Sequence, residues 1–282
     1  MKFLITGANG QLATEFQRNI ERNNSCNVIP LSREKLDITD FNVVAEAVLH
    51  YKPDIVLNCA AYNQVDKAEQ DFERASKVNA TGVKNLAALC CKNRALLIHF
   101  STDYVFDGLK EGFYTEDDMP NPINNYGRSK LLGEKLLAEE TDDFLLFRVS
   151  WVFGAGKQNF FYKLSDWARK KNVLKIVCSE ISVPTYTEDI VRFTLDAVKN
   201  NLRGVYHLTN SGYASRYEVA RYYIDKLKLP NLALPVNSGF FGETAKRPYF
   251  SAMSNRKLSN ALSVEIPDWK NAVDRFVMRS AV

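Results

Sequence analysis

A phenol and an amino group lie at positions i and i+4 of the segment Tyr126-Gly127-Arg128-Ser129-Lys130. If this segment is helical, both side chains project from one face of the helix. Free tyrosine has a pKa of about 10, and a neighbouring lysine cation lowers it, so that the phenol can protonate a carbonyl group during its reduction. Alone, the pattern is common and usually structural. It gains meaning only beside a nucleotide-binding loop and a further hydroxyl group.

That hydroxyl group is supplied by Thr102, which follows the apolar run 96–101. The run predicts a buried strand, and ligands of open α/β folds bind at the carboxyl edge of the sheet. Thr102 could hold a carbonyl oxygen there while Tyr126 protonates it. A Ser-Thr pair at the end of a strand is ordinary. A catalytic role for Thr102 is therefore inferred only because a nucleotide-binding loop and the Tyr126–Lys130 pair occur in the same chain.

A candidate phosphate-binding loop, Gly7-Ala8-Asn9-Gly10-Gln11-Leu12-Ala13, follows the first predicted strand and opens a helix. Gly7 permits a tight turn, Gly10 permits close approach of a phosphate, and the small Ala13 lets helix and strand pack closely. Backbone N–H groups at such a helix start bind the pyrophosphate of a dinucleotide. A plain glycine-rich turn is the alternative, but the strand–turn–helix context favours a dinucleotide cofactor.

The cofactor type is set just after the second strand, where NAD sites carry an acid that holds the ribose hydroxyls. The chain has Leu31-Ser32-Arg33 at this point. A guanidinium and a hydroxyl group suit a 2′-phosphate, which a carboxylate would repel. The sequence therefore predicts NADPH, although Arg33 could be a solvated loop charge and Glu34 keeps NADH open.

Short apolar runs alternate with longer amphipathic stretches through the first half of the chain, which predicts an α/β fold with a Rossmann-like, doubly wound parallel sheet. The predicted strands are residues 2–6, 26–30, 55–58, 96–101 and 145–149, and the predicted helices are residues 11–23, 41–51, 72–93 and 126–140. We expect an NAD(P)-binding domain over 1–150. Residues 151–282 are expected to form a smaller C-terminal substrate-binding lobe, interleaved with the first domain, with an amphipathic stretch near 159–171, short strands near 175–177 and 205–208, and a helix near 217–227.

Composition excludes several classes of protein. The 282 residues are 46% hydrophobic, and the formal net charge of +4 is spread without a basic block, so nucleic acid is an unexpected partner. An early polar Thr6-Gly7 and the lack of a long apolar run predict a cytoplasmic protein without a membrane segment. The five cysteines are expected to be reduced core residues, and the isolated histidines predict no transition-metal site.

Four segments together resemble the extended short-chain dehydrogenase/reductases, and more closely the dTDP-4-dehydrorhamnose reductases. They are residues 6–12, residues 58–62 with 65–69, residues 101–106, and residues 126–130. Further matches at 148–154, 184–185 with Asp189, 247–248 and 267–269 extend the resemblance over nearly the whole chain.

The resemblance implies hydride transfer from a reduced nicotinamide to C4 of a dTDP-linked 4-keto-6-deoxyhexose, giving dTDP-L-rhamnose for cell-surface polysaccharide synthesis. It makes Tyr126 the proton donor, makes Lys130 the ligand of the nicotinamide ribose, and has Thr102 orient the keto group. The implied cofactor contacts are Gly7, Asn9, Gly10, Gln11, Leu12, Ser32, Arg33, Asp37, Ile38, Ala60, Ala61, Tyr62, Tyr126 and Lys130. The implied substrate contacts are Asp103, Tyr104, Trp151, Asn159 and Arg247, the last as a partner of the diphosphate.

The chain departs from the family pattern at two places in its second half. Glu180-Ile181-Ser182-Val183 stands where the family commonly has Gln-x-Gly, and Ser215-Arg216 replaces a usual Ser-Trp. These changes leave the identity of the sugar and of the nucleotide open. Some relatives are described with Mg²⁺ bridging a homodimer through acidic residues, for which Glu15 is a candidate; the alternative is that Glu15 is an exposed helical charge.

Three other functions remain open. A related dehydratase would carry an acid/base pair after the threonine, whereas Thr102-Asp103 is followed by Tyr104, which favours simple reduction. An epimerase would retain its nicotinamide, so stoichiometric consumption of NADPH would exclude it. A non-catalytic, NADP-binding regulatory subunit would bind cofactor without turnover, but the presence of Thr102, Tyr126 and Lys130 favours an enzyme.

Overall fold

The computed structural model describes residues 1–22, 26–156, 158–242 and 244–280. Within them the strands are β1 (Lys2–Thr6), β2 (Asn27–Leu31), β3 (Ile55–Asn58), β4 (Leu96–Thr102), β5 (Phe144–Val149), β6 (Val152–Phe153), β7 (Val173–Val177), β8 (Ile181–Ser182), β9 (Thr185–Tyr186), β10 (Gly204–His207), β11 (Ala214–Ser215) and β12 (Leu232–Val236). The α-helices are α1 (Gln11–Glu21), α2 (Phe41–Tyr51), α3 (Val65–Gln70), α4 (Phe72–Ser76), α5 (Gly82–Asn93), α6 (Asn125–Glu140), α7 (Phe160–Lys170), α8 (Thr187–Lys199), α9 (Arg216–Lys226), α10 (Arg256–Leu262) and α11 (Trp269–Ser280).

The central sheet has six parallel strands in the order β10-β5-β4-β3-β1-β2. Successive residues of β1 face opposite sides, so Phe3 and Ile5 join a core that includes Phe16 of α1 and Phe193 of α8, while Leu4 joins a core with α2 and α5. The predicted doubly wound α/β fold is confirmed. The chain reverses direction across the sheet between β1 and β3, which is where such folds bind ligands.

The predicted helix over 72–93 contains a π-helical turn, Lys77–Thr81, between α4 and α5. The turn brings Asn79 against the loop after β3, where its Oδ1 accepts from Tyr62 N at 2.8 Å and its Nδ2 donates to Tyr62 O at 3.0 Å. Nδ2 also donates to Ser129 Oγ of α6 at 2.9 Å. Such turns are frequent at functional sites. Hydrophobic periodicity did not predict it, because tertiary hydrogen bonds stabilise it.

Other element boundaries differ by a residue or two. The second strand is shifted by one, because Leu31 rather than Cys26 is buried in the sheet. Helix α1 ends at Glu21, and Asn23, the predicted last residue, lies outside the described residues. All five cysteines are free, as expected, but Cys91 is exposed, so the expectation of a core position is wrong for it.

Candidate active site

Thr102, Tyr126 and Lys130 line one cavity of about 310 Å³. Its walls come from the end of β4, from the first turns of α6, and from Gly10, Gln11 and Leu12 at the start of α1. Asn124 caps the N-terminus of α6, where its Oδ1 accepts from Gly127 N at 2.7 Å. The cavity therefore lies at the carboxyl edge of the sheet and brings the proposed proton donor beside the proposed cofactor loop.

The amino group of Lys130 is buried and anchored to β4. Its Nζ donates to Phe100 O at 2.6 Å and lies 3.4 Å from His99 Nε2. Burial lowers the pKa of Lys130 to about 8, although the charge of Glu134 acts in the opposite direction. The group therefore remains mainly protonated at neutral pH.

The phenol of Tyr126 does not have the lowered pKa that the sequence predicted. Its pKa is raised to about 12, mainly by burial; a hydrogen bond with Thr102 acts to lower the pKa, and the charge of Asp103 acts to raise it. The physical reason is that Nζ of Lys130 is directed at the Phe100 carbonyl. In this geometry the phenol stays protonated at neutral pH, which is the form that a proton donor needs.

Asp103, a predicted substrate contact, borders the same cavity but has a buried carboxylate. Its Oδ2 accepts from Ser182 Oγ at 2.7 Å and from Ser251 Oγ at 2.6 Å, and its Oδ1 lies 3.2 Å from Thr102 Oγ1, which donates to it. Burial raises the pKa of Asp103 although these hydrogen bonds lower it. Asp103 thus links Thr102 to Ser182 and Ser251, which lie in two separate segments of the second half of the chain. Tyr104 is also buried, with its ring centroid 5.9 Å from that of Tyr126.

The loop after β1 has the geometry of a phosphate cradle. Gly7 has φ of +61°, and a Cβ at this position would lie 2.9 Å from the backbone of Ala60. Gly10 caps α1 with no side-chain hydrogen bond, so backbone N–H groups of the first turn are left for a ligand. Gln11 and Leu12 border the cavity, and Asn9 is exposed. These residues fit a dinucleotide.

The remaining predicted cofactor residues lie around this loop. Arg33 is exposed, and its Nε lies 3.3 Å from Asp37 Oδ2. Ser32 hydrogen-bonds the exposed Glu34 and lowers the pKa of that carboxyl. Ile38 is buried below Gly82. After β3, Ala60 N donates to Thr6 Oγ1, Ala61 borders the cavity, and Tyr62 is held by Asn79.

A second cavity of about 490 Å³ adjoins the first, and the two share Trp151, Val152 and Gln158 as walls. Trp151, a predicted substrate contact, thus stands between them. Asn159 also borders the second cavity, but its side chain is bound to backbone: Nδ2 donates to Gly154 O and Gly156 O, and Oδ1 accepts from Tyr162 N to cap α7.

Arg247 borders the second cavity, where its Nη2 lies 2.8 Å from Asp66 Oδ2. The two departures from the family pattern meet at this place, because Arg216 Nε lies 3.4 Å from Glu180 Oε2. Neither residue is among the site residues that the sequence predicts. Although both stood out as departures, no local pattern showed that residues 36 positions apart form a pair.

Glu15 is buried, so the expectation of an exposed helical charge is wrong. Its carboxylate lies 2.9 Å from Arg279 Nη1, which also lies 3.2 Å from Glu188. A guanidinium thus occupies the position between these carboxylates. Among the described residues no group of three His, Cys, Asp or Glu side chains could hold a metal ion. Within one chain the carboxylate of Glu15 is thus engaged by a guanidinium, and a cation shared with a second subunit stays a prediction.

The RmlD substrate binding domain model matches residues 1–282. The chain belongs to this family. A dTDP-4-dehydrorhamnose reductase from Burkholderia thailandensis is 37% identical, with 97% of each chain covered. A dTDP-4-dehydrorhamnose reductase structure from Clostridium acetobutylicum superimposes with a TM-score of 0.96 at 34% identity, with full coverage of both chains. One from Bacillus anthracis, in complex with NADP, has a TM-score of 0.96 at 32% identity, with 99% of each chain covered.

These relatives confirm the resemblance that the four sequence segments indicated. In the described part of the chain, no helix combines the length and hydropathy that a bilayer span requires.

Proposed function

We propose that the chain reduces the C4 keto group of dTDP-4-dehydrorhamnose with NADPH and yields dTDP-L-rhamnose. The observation that carries the proposal is the convergence of Thr102, Tyr126 and Lys130 on one cavity that the glycine loop borders. A non-catalytic NADP-binding subunit would not need these three groups together. The names of the relatives supply the substrate class.

When bound, NADPH supplies the hydride. The phenol of Tyr126 then donates its proton to the developing alkoxide; it is protonated at neutral pH, and its raised pKa of about 12 makes it a weaker acid than a free phenol. Thr102 orients the keto oxygen by turning its one hydroxyl hydrogen, which it donates to Asp103 Oδ1 in this structure, toward that oxygen. Lys130 binds the ribose through the ammonium group that the Phe100 carbonyl anchors.

We further propose that NADPH is preferred to NADH. Arg33 and Ser32 follow β2 at the edge where an adenosine ribose would lie, and their guanidinium and hydroxyl groups can both bind a 2′-phosphate. The NADP complex of the Bacillus anthracis relative supports this preference. In the adjoining cavity, Trp151, Arg216 and Arg247 offer an aromatic ring and two guanidinium groups to the nucleotide sugar.

The test is a cofactor-oxidation assay with purified protein, NADPH and a set of nucleotide-linked 4-keto sugars. We expect stoichiometric loss of NADPH absorbance with dTDP-4-dehydrorhamnose and formation of dTDP-L-rhamnose, identified by chromatography. Activity with a different 4-keto sugar alone would replace the proposed substrate. Tight NADPH binding without oxidation by any of these sugars would support the regulatory alternative.

A further inference from the structure

We propose that Arg216 is an anion-binding residue of the second cavity, where its guanidinium binds the diphosphate of the nucleotide sugar. The inference deepens the proposed function and rests on it for the class of substrate. It concerns a residue that the resemblance does not assign to the site, and it is carried by the position, the contacts and the charge of Arg216.

The position of Arg216 is unfavourable for its own helix. It is the first residue of α9, directly after the N-cap Ser215, which forms a capping box with Glu218. A cation at this end opposes the helix dipole, which favours negative charge at the N-terminus. The guanidinium therefore does not stabilise helix α9. The groups that interact favourably with it lie on the side of the cavity.

Contacts with Trp151, Phe160 and Glu180 hold the guanidinium against the cavity wall. Its central carbon lies 4.2 Å from the centroid of the Trp151 ring, and Nε lies 3.4 Å from Glu180 Oε2. Among the described residues, Glu180 is its only hydrogen-bonding partner, and the side chain is 28% exposed. The donors on Nη1 and Nη2 are therefore left for a ligand, and such a fork matches phosphate oxygens.

Glu180 has a second effect on the charge of this wall. Its side chain is buried, and its Oε1 has no hydrogen-bonding partner but lies 3.9 Å from Arg247 Nε. One carboxylate thus stands between two guanidinium groups that would otherwise repel each other. Lys163 and Lys175 border the same cavity, and Asp66 pairs with Arg247. Among the described residues, four cations lie against two carboxylates at this wall, and a net positive charge suits the two negative charges of a diphosphate diester.

Trp151 lies between this wall and the cavity that Thr102 and Tyr126 line. It borders both cavities and has φ of +39°, a left-handed conformation that is strained for a tryptophan. The stacked Arg216 helps to hold the indole in place. A diphosphate bound at Arg216 would leave the attached sugar next to Trp151, on the side from which Thr102 and Tyr126 are reached.

The experiment measures binding by calorimetry, with dTDP, thymidine and NADPH as separate ligands of the full chain. We expect Arg216→Gln to weaken dTDP binding by about 10- to 100-fold, as loss of a charge-assisted pair does, and to leave NADPH binding unchanged. Arg216→Lys should lose less, because it keeps the charge without the fork. Arg221→Gln, on the exposed side of the same helix, is the matched control and should bind like wild type.

Arg216→Gln binding dTDP within twofold of wild type would overturn the proposal, as would equal losses for dTDP, thymidine and NADPH, which indicate a structural role. If Arg216→Gln does not fold, dTDP binding by Arg216→Lys is compared with dTDP binding by Arg221→Lys. Weaker binding by Arg216→Lys alone supports the proposal, and equal binding by the two variants overturns it. Failure of the proposed function is a separate result: wild type would bind dTDP through Arg216 but would not oxidise NADPH with the dTDP-linked 4-keto sugar.

Discussion

Lys130 Nζ lies 3.4 Å from His99 Nε2, and both side chains are buried. His99 Nδ1 lies 3.1 Å from Asn58 Nδ2, and Asn58 Oδ1 is fixed by Thr6 Oγ1 at 2.7 Å. Burial and the nearby Lys130 charge hold the pKa of His99 well below its usual range, so the imidazole is neutral. A neutral imidazole has one acceptor nitrogen, so His99 can accept a hydrogen bond from Asn58 Nδ2 or from Lys130 Nζ but not from both at once, and the carbonyl of Phe100 remains the main anchor of the lysine.

Tyr126→Phe tests the proton donor. The substitution removes the hydroxyl group and little packing, so turnover should fall by roughly 10²-fold or more while NADPH affinity stays nearly unchanged. Steady-state kinetics and cofactor titration of the variant measure the two quantities. Turnover at the wild-type rate would mean that another group protonates the alkoxide.

The lowered pKa of Lys130 predicts that the free energy of unfolding rises with pH. Its pKa is about 8 in the folded state against about 10.4 unfolded, so between these values the unfolded chain binds more protons and the free energy of unfolding increases with pH. The cost of burying the ammonium is present in full below about pH 8 and disappears toward about pH 10.

The measurement is denaturant unfolding of wild type and Lys130→Met at several pH values. The difference in unfolding free energy should shift in favour of wild type by about 2–3 kcal/mol across this window. Parallel curves for the two proteins would show that the lysine is not responsible.

Arg33→Ala tests cofactor selection. The variant should bind NADPH far more weakly, by about tenfold or more, and NADH almost as well as wild type, because only NADPH carries the 2′-phosphate. Arg33 is exposed, so stability should not change. Equal losses for the two cofactors would mean that the guanidinium does not contact the 2′-phosphate.

Arg279→Gln tests the cation between Glu15 and Glu188. We expect the wild-type melting temperature to be insensitive to Mg²⁺ and to EDTA. The variant should lose about 1–3 kcal/mol of stability, because Glu15 stays buried without its partner. Added Mg²⁺ should restore part of that loss. A wild-type protein that melts at lower temperature in EDTA would contradict this interpretation of the cluster.

The strands at the centre of the sheet could be predicted from sequence, because β1 and β3 are continuous buried runs bounded by polar residues. The glycine loop and the Tyr126–Lys130 pair could also be located, since each is defined by local spacing. Long-range pairing could not. Arg279 reaches Glu15 from the other end of the chain, and Arg216 finds Glu180 across the second half.

The error about the Tyr126 pKa has the same origin. The i, i+4 spacing correctly places phenol and ammonium on one helix face, but it does not show the carbonyl of Phe100 that binds the ammonium. Burial then determines the pKa, and burial depends on packing from elements far away in sequence.

The contacts of Asp103 couple substrate binding in the second half of the chain to the position of Thr102. The Asp103 carboxylate accepts hydrogen bonds from Ser182 and Ser251, which lie in two segments beyond β5. Its neighbour Thr102 borders the cavity that Tyr126 also lines. A ligand that shifts those serines must also shift the threonine. Trimming the nucleotide from the sugar should therefore slow the chemical step as well as loosen the complex, because remote binding energy helps to align the reacting groups.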